Sequence, residues 1–164
     1  MNLNDQKILF DRYPTLFRDV EKGKDVTAMH WGCQCGDGWF DLIDDCSFEL
    51  RQLDNGHLIK YRCIKQKFGR LRIYVGVRHN IFDETIPRSF PIRIFINFCY
   101  VFFGKIINTY YELLWKDARK IVDKYERLSA TTCELCGNKN ADKVYNDTYL
   151  QPVCHECNKK LKGN

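Results

Sequence analysis

Only four prolines and four histidines occur in 164 residues, no repeat or low-complexity tract is present, and no apolar run is long enough to cross a bilayer. The most apolar stretch, Ile94 to Phe103, covers ten residues, whereas a membrane-spanning helix needs roughly 20. A buried helix is expected there, and no membrane partner. The opening MNLNDQKILF lacks the basic and apolar segments of a secretory signal, which favours the cytoplasm. Glycine-rich phosphate loops, nucleophile elbows and paired metal-binding histidines are also missing.

What is there is a chain that can bury a core, with 45% apolar and 14% aromatic residues. The formal charge of +5 tilts the choice of partner towards phosphate-bearing molecules. Nine cysteines are many, but their odd number and C-x-x-C spacing favour thiolate ligands in a reducing compartment over disulfides.

Apolar positions Leu3, Ile8, Leu9, Leu16 and Phe17, interrupted by Pro14, predict a short helix or two at the start. From Trp39 the apolar residues fall at 39, 43, 46, 50 and 53, one face of a helix that Asn55-Gly56 ends. Leu58 to Ile64 reads as a strand. A clearer one follows, in which Leu71, Ile73, Val75 and Val77 alternate with Arg70, Arg72, Tyr74 and Gly76. Residues 78 to 91, with Pro87 and Pro91, read as a loop. From Ile92 to Ser129 the pattern is helical, with a stripe of Ile106, Tyr110, Leu113, Leu114, Ile121, Val122, Tyr125 and Leu128, and a break expected at Gly104.

The strongest motif is C-terminal. Cys133 and Cys136 are followed by seventeen residues, 137 to 153, and then by Cys154 and Cys157. Two such knuckles supply the four thiolates that structural zinc prefers, leaving no open position for catalysis. Lys143 to Tyr145 and Thr148 to Leu150 are expected to pair across Asn146-Asp147 as the hairpin of a zinc ribbon. Cys33 and Cys35 form a C-x-C pair that would need further ligands from His30, Cys46, His57 or Cys63; buried free thiols are the favoured reading, and Cys99 is expected in the core.

For function, Lys65, Lys67, Arg70, Arg72 and Tyr74 carry the most weight. Arg70, Arg72 and Tyr74 share one strand face, and guanidinium groups with a stacking ring suit a nucleotide or nucleic acid. The competing reading is a solvated face salt-bridged to the acidic helix with Asp41, Asp44, Asp45 and Glu49. Asp37, Asp41, Asp44 and Asp45 could also suggest a metal-dependent nuclease, although carboxylates at a helix start commonly complement its dipole.

Three segments, Cys35 to Ile43 (CGDGWFDLI), Lys65 to Tyr74 (KQKFGRLRIY) and Ser129 to Gly137 (SATTCELCG), with the closing C-x-x-C, resemble a group of uncharacterised small proteins of bacteriophages and bacteria. In that group a CGDGW helix start, a KFG-LR-Y strand and a terminal zinc ribbon recur. The resemblance implies this architecture and a phage or prophage origin, a setting in which small proteins often act on host defence or transcription. The knuckle after a long helix is also similar to that of TraR and DksA proteins, which enter the RNA polymerase secondary channel, but their acidic coiled-coil tip is absent. The ending Cys154 to Lys160 resembles HNH nucleases, whose catalytic histidines lie between the knuckles; residues 137 to 153 hold none.

The expected fold is therefore α+β, with helices packed on a small antiparallel hairpin or sheet in residues 1–128 and a zinc ribbon in 129–164. The expected function is non-catalytic binding of a nucleotide signal or nucleic acid, to counter host defence. The alternatives are a protein-binding regulator of a host enzyme such as RNA polymerase, and a metal-dependent nuclease.

Overall fold

A computed structural model describes residues 1–54, 58–77, 90–145 and 150–162, with the backbone alone described for 90–103 and 143–145. The order is α1 (Leu3–Arg12), β1 (Cys33–Gln34), α2 (Phe40–Asp54), β2 (Ile59–Gln66), β3 (Leu71–Val77), α3 (Phe90–Leu128), β4 (Ala141–Tyr145), β5 (Leu150–Cys154) and α4 (His155–Lys162). Strands β1, β2 and β3 form one sheet in that order, and β4 and β5 a second. The class is α+β, as the sequence predicts. The expected turns at Asn55-Gly56 and Asn146-Asp147, most of the loop at 78–91, residues His57, Thr148 and Tyr149, and the side chain of Cys99 lie outside the described residues.

Helix α1 begins where the Asn2 side chain accepts the Asp5 amide at 2.9 Å, an N-cap that satisfies one of the free donors of the first turn. Leu9, Leu16 and Phe17 are buried, but Leu3 and Ile8 face solvent. A 3-10 turn at Asp37–Trp39 leads into α2, whose four-three spacing puts Trp39, Ile43, Cys46 and Leu50 fully inside, with Leu53 at the margin. Each such side chain contributes about 1.5–3 kcal/mol by leaving water. Asp54, at the end of α2, accepts the amides of Leu58 and Ile59, both at 2.6 Å, and so ties the helix to the start of β2.

The hairpin registers Ile64 opposite Ile73 and Lys65 opposite Arg72, with a bulge between Tyr61 and Cys63. Leu71 and Ile73 point to the core, as alternation requires. The turn is a two-residue connection in which Phe68 and Gly69 both have positive φ, 54° and 68°. Lys67 and Arg70 exchange main-chain hydrogen bonds of 2.9 and 3.2 Å across it, the pattern of a type I′ hairpin. Strand β1 adds a short parallel pairing, with Cys33 opposite Ile64.

Helix α3 is one uninterrupted helix of 39 residues, about 58 Å long, so no break occurs at Gly104. A single glycine costs a helix interior only about 1 kcal/mol, less than its neighbours return. Pro91 sits in the first turn, where its missing N–H costs nothing. The expected apolar stripe is corrected. Tyr111, Leu114, Ala118, Val122 and Tyr125 are buried, whereas Ile106, Tyr110, Leu113 and Leu128 are exposed on a flank. The helix lies against α2 and β3, and only one face meets them.

Side chains occupy part of both outer edges of the three-stranded sheet. On β3, Leu71 N donates to Ser129 Oγ at 2.9 Å, Ile73 N donates to Glu126 Oε1 at 2.9 Å, and the Ile73 carbonyl accepts from Arg119. On β1, Cys33 N donates to Gln6 Oε1 at 2.8 Å.

Candidate functional site

The first knuckle follows the end of α3, and the second spans the end of β5 and the first turn of α4. In the first, Gly137 N donates to the Cys133 carbonyl at 2.9 Å and Cys133 N donates to the Asn138 carbonyl at 2.7 Å. Gly137 takes φ 77°, a conformation that residues with a Cβ rarely adopt. Main-chain amides also face the sulfurs: that of Asn138 hydrogen-bonds Cys136, and that of Cys157 hydrogen-bonds Cys154. The Cys157 amide is the main cause that holds the Cys154 thiol down to about 7.

The four sulfurs lie within 4.8 Å of one another, with Cys136 and Cys154 at 3.6 Å. That is far too long for a disulfide, whose S–S length is about 2.0 Å. A tetrahedron with metal–sulfur bonds of about 2.3 Å has edges of about 3.8 Å, so the cluster fits a single four-coordinate ion. Among the described residues this is the one group of histidines, cysteines and carboxylates so arranged.

The ribbon is clamped to the body through the segment Cys35-Gly36-Asp37-Gly38-Trp39. Gly36 N donates to Glu134 Oε1 at 3.0 Å, Gly38 N to the Glu134 carbonyl at 2.9 Å, and Trp39 Nε1 to the Thr132 carbonyl at 2.9 Å. A Cβ on Gly36 would lie 2.2 Å from the Glu134 carbonyl oxygen, and one on Gly38 would lie 2.3 Å from the Cys133 oxygen and 2.4 Å from Gly137 N. Both glycines are therefore required by the approach of the first knuckle. The boundary placed at 128/129 is crossed by all of these bonds.

A second junction holds the β2–β3 turn. Gln66 Nε2 donates to the Leu150 carbonyl of β5, and a Cβ on Gly69 would lie 3.0 Å from Leu150 Cγ. The cationic turn is seated on the ribbon.

The predicted ligand-binding residues divide. Arg72 is bound to Glu126 at 3.0 Å, and Glu126 is only 6% exposed. A structural pairing thus exists, but its partner lies on α3 and not on the acidic helix. Asp44 of that helix pairs with Arg12, and Glu49 with Lys124 at 2.6 Å. Lys65, Lys67 and Arg70 have no carboxylate within ion-pairing distance among the described residues; Lys65 lies 6.0 Å over the Tyr74 ring and Lys67 lies 5.1 Å over the Phe68 ring. Tyr74 is half exposed.

Cys33, Cys35 and Cys46 are buried. Burial raises all three thiols, Cys35 and Cys46 to about 12, and among the described residues none of them joins a metal-holding group. Asp37 accepts the Asn2 amide at 2.6 Å, and Asp41 and Asp45 face solvent, so the four aspartates do not converge. Asp41, Asp44 and Asp45 line one side of a cleft of about 370 Å³ beside Tyr125 and Lys139. The structural roles of Gly36, Gly38, Glu126 and Glu134 are not visible in the spacing; the small residues of Cys35 to Trp39 were the available signal. Comparison with protein-family models, curated proteins and solved structures finds no match to the chain.

Proposed function

We propose that this chain is a non-catalytic, zinc-stabilised protein that binds a phosphate-bearing ligand on the outer face of the β2–β3 hairpin. Zinc is the natural occupant, because four thiolates in two knuckles select a soft tetrahedral ion with no redox chemistry. The single observation that carries the binding reading is the set of cations Lys65, Lys67 and Arg70, uncompensated among the described residues, around a turn that rests on the ribbon. Charge left unpaired on a rigid element is the arrangement a phosphate binder requires. Arg72 serves as a buttress, since Glu126 already neutralises it. The resemblance of the three sequence segments supports a phage origin and action in a bacterial host, where the ligand is a nucleotide signal or nucleic acid.

A second reading rests on a different observation. Ile106, Tyr110 and Leu113 are exposed along one flank of α3, and a row of that kind suits a host protein as partner. A nuclease is the least supported, because Asp41, Asp44 and Asp45, though they line one cleft, form no metal-holding group among the described residues.

Heparin chromatography at low salt and mass spectrometry of retained small molecules test the first reading. Lys65→Gln with Lys67→Gln and Arg70→Gln should abolish retention with little change in the unfolding temperature, since substitutions outside the core typically cost about 0.5 kcal/mol or less. Arg72→Ala should instead lower stability by about 1–3 kcal/mol, because it strips a partner from buried Glu126. A wild type that retains nothing and ignores heparin would transfer the function to α3 and a protein partner.

A further inference from the structure

Phe68 is the one non-glycine residue with positive φ among the described residues, and its ring is 70% exposed. Either feature alone is unfavourable. The first position of a type I′ turn is ordinarily Asn, Asp or Gly, because a bulky side chain there brings its Cβ against the backbone. An aromatic ring in water also gains nothing from burial. A strained backbone that presents an apolar ring outward is the kind of outlier that points to contact with a ligand.

The surroundings define the ligand. Lys67 lies against the Phe68 ring, Arg70 closes the turn, and Tyr74 projects from the same sheet face as Arg70 and Arg72, with the Lys65 ammonium near its ring. The face is therefore a row of cations with a ring at each end. Strands rise about 3.3 Å per residue, which sets Phe68 and Tyr74 roughly 15 Å apart. One nucleotide cannot touch both rings. Phe68 is 70% and Tyr74 45% exposed, so the two rings stand on an open surface. Rings on an open cationic track stack on bases only where those bases are unpaired.

We infer that the hairpin binds single-stranded nucleic acid, with Phe68 and Tyr74 stacking on separate bases and Lys65, Lys67 and Arg70 following the phosphates. This rests on the phosphate-binding reading above and deepens it. It also explains the seating of Gly69 against Leu150: the metal-bound ribbon fixes the direction in which Phe68 points.

The test measures binding of the full-length, metal-loaded protein to three probes: a labelled oligothymidylate, the same strand annealed to its complement, and inorganic polyphosphate. Phe68→Asn places the preferred Asn-Gly pair in the turn, so it should raise the unfolding temperature while weakening the single strand by about tenfold or more. Its affinity for polyphosphate, which has no bases, should be unchanged. Tyr74→Ala should behave likewise towards the probes, and Phe68→Trp should retain binding. If duplex binds as well as or better than single strand, or if Phe68→Asn leaves the oligothymidylate affinity intact, the stacking inference is overturned while phosphate binding stands. If a lower unfolding temperature accompanies Phe68→Asn and binding is unaltered, the ring is a packing element and the inference also falls. Failure of all three probes to bind the wild type would remove the phosphate-binding reading itself.

Discussion

Two sets of cysteines in this molecule differ in what the backbone offers them. Cys33 and Cys46 lie among apolar side chains of the body, and burial pushes their thiols up, Cys46 to about 12. In the ribbon, main-chain amides reach the Cys136 and Cys154 sulfurs, and the Cys157 amide holds Cys154 down to about 7, while burial and the neighbouring sulfurs raise Cys157. The ribbon set is thus marked by convergent sulfurs and main-chain amides, and the core set by apolar surroundings that disfavour the anion. Sequence spacing reports this difference because a C-x-x-C turn is what brings the amides round.

The sharpest way to break the comparison is to exchange one residue in each set. Cys136→Ser should cost the bound metal and unfold the ribbon, because binding free energies of about 10–16 kcal/mol sustain small zinc units. Cys33→Ala should keep one metal per chain. Elemental analysis of the two purified variants decides it, and equal metal loss in both would erase the distinction.

A smaller effect is expected at the seam between the two regions. Gly38→Ala would push a methyl group to 2.3 Å from the Cys133 oxygen and 2.4 Å from Gly137 N. Since both are main-chain atoms that cannot swing away, the cost should reach about 3 kcal/mol, the upper part of the usual overpacking range. Thermal unfolding, with metal release followed by a chromogenic chelator, should show both falling together. An unshifted unfolding temperature with intact metal would mean that the knuckle is not held by this contact.

The smallest effect is on pH dependence. Because the folded state raises Cys46, it binds more protons than the unfolded chain above about 8.5. The neutral thiol's contribution is complete below that value and is lost as pH rises through about 12. Wild type should therefore lose stability progressively above pH 9, and Cys46→Ala should lose less. Parallel curves for the two proteins would show that Cys46 is not the group responsible.

Local features were legible and tertiary partners were not. The face of α2, the alternation in β3 and the four ligands follow from periods of 3.6 and 2 and from a fixed ligand geometry. The pairing of Arg72 with Glu126 joins residues 54 apart in sequence, and no period connects them. The glycines of Cys35 to Trp39 mark a helix start in the sequence, yet their purpose lies a hundred residues away, at the Glu134 backbone. Continuity through Gly104 was missed for another reason, since one unfavourable residue is outweighed by a long helix. The misassigned flank of α3 reflects a helix that is apolar on more sides than its neighbours can cover.

The side chains that occupy the sheet edges have a consequence for life at high concentration. Exposed strand edges are templates on which a second chain can add, and they are the usual start of ordered aggregation. Here β3 is occupied by Ser129, Glu126 and Arg119, and β1, only two residues long, by Gln6. All four are polar or charged side chains already bonded to the strand backbone, so a foreign strand would have to break existing bonds before forming its own. At these positions the three-stranded sheet is thereby protected against the addition of a foreign strand.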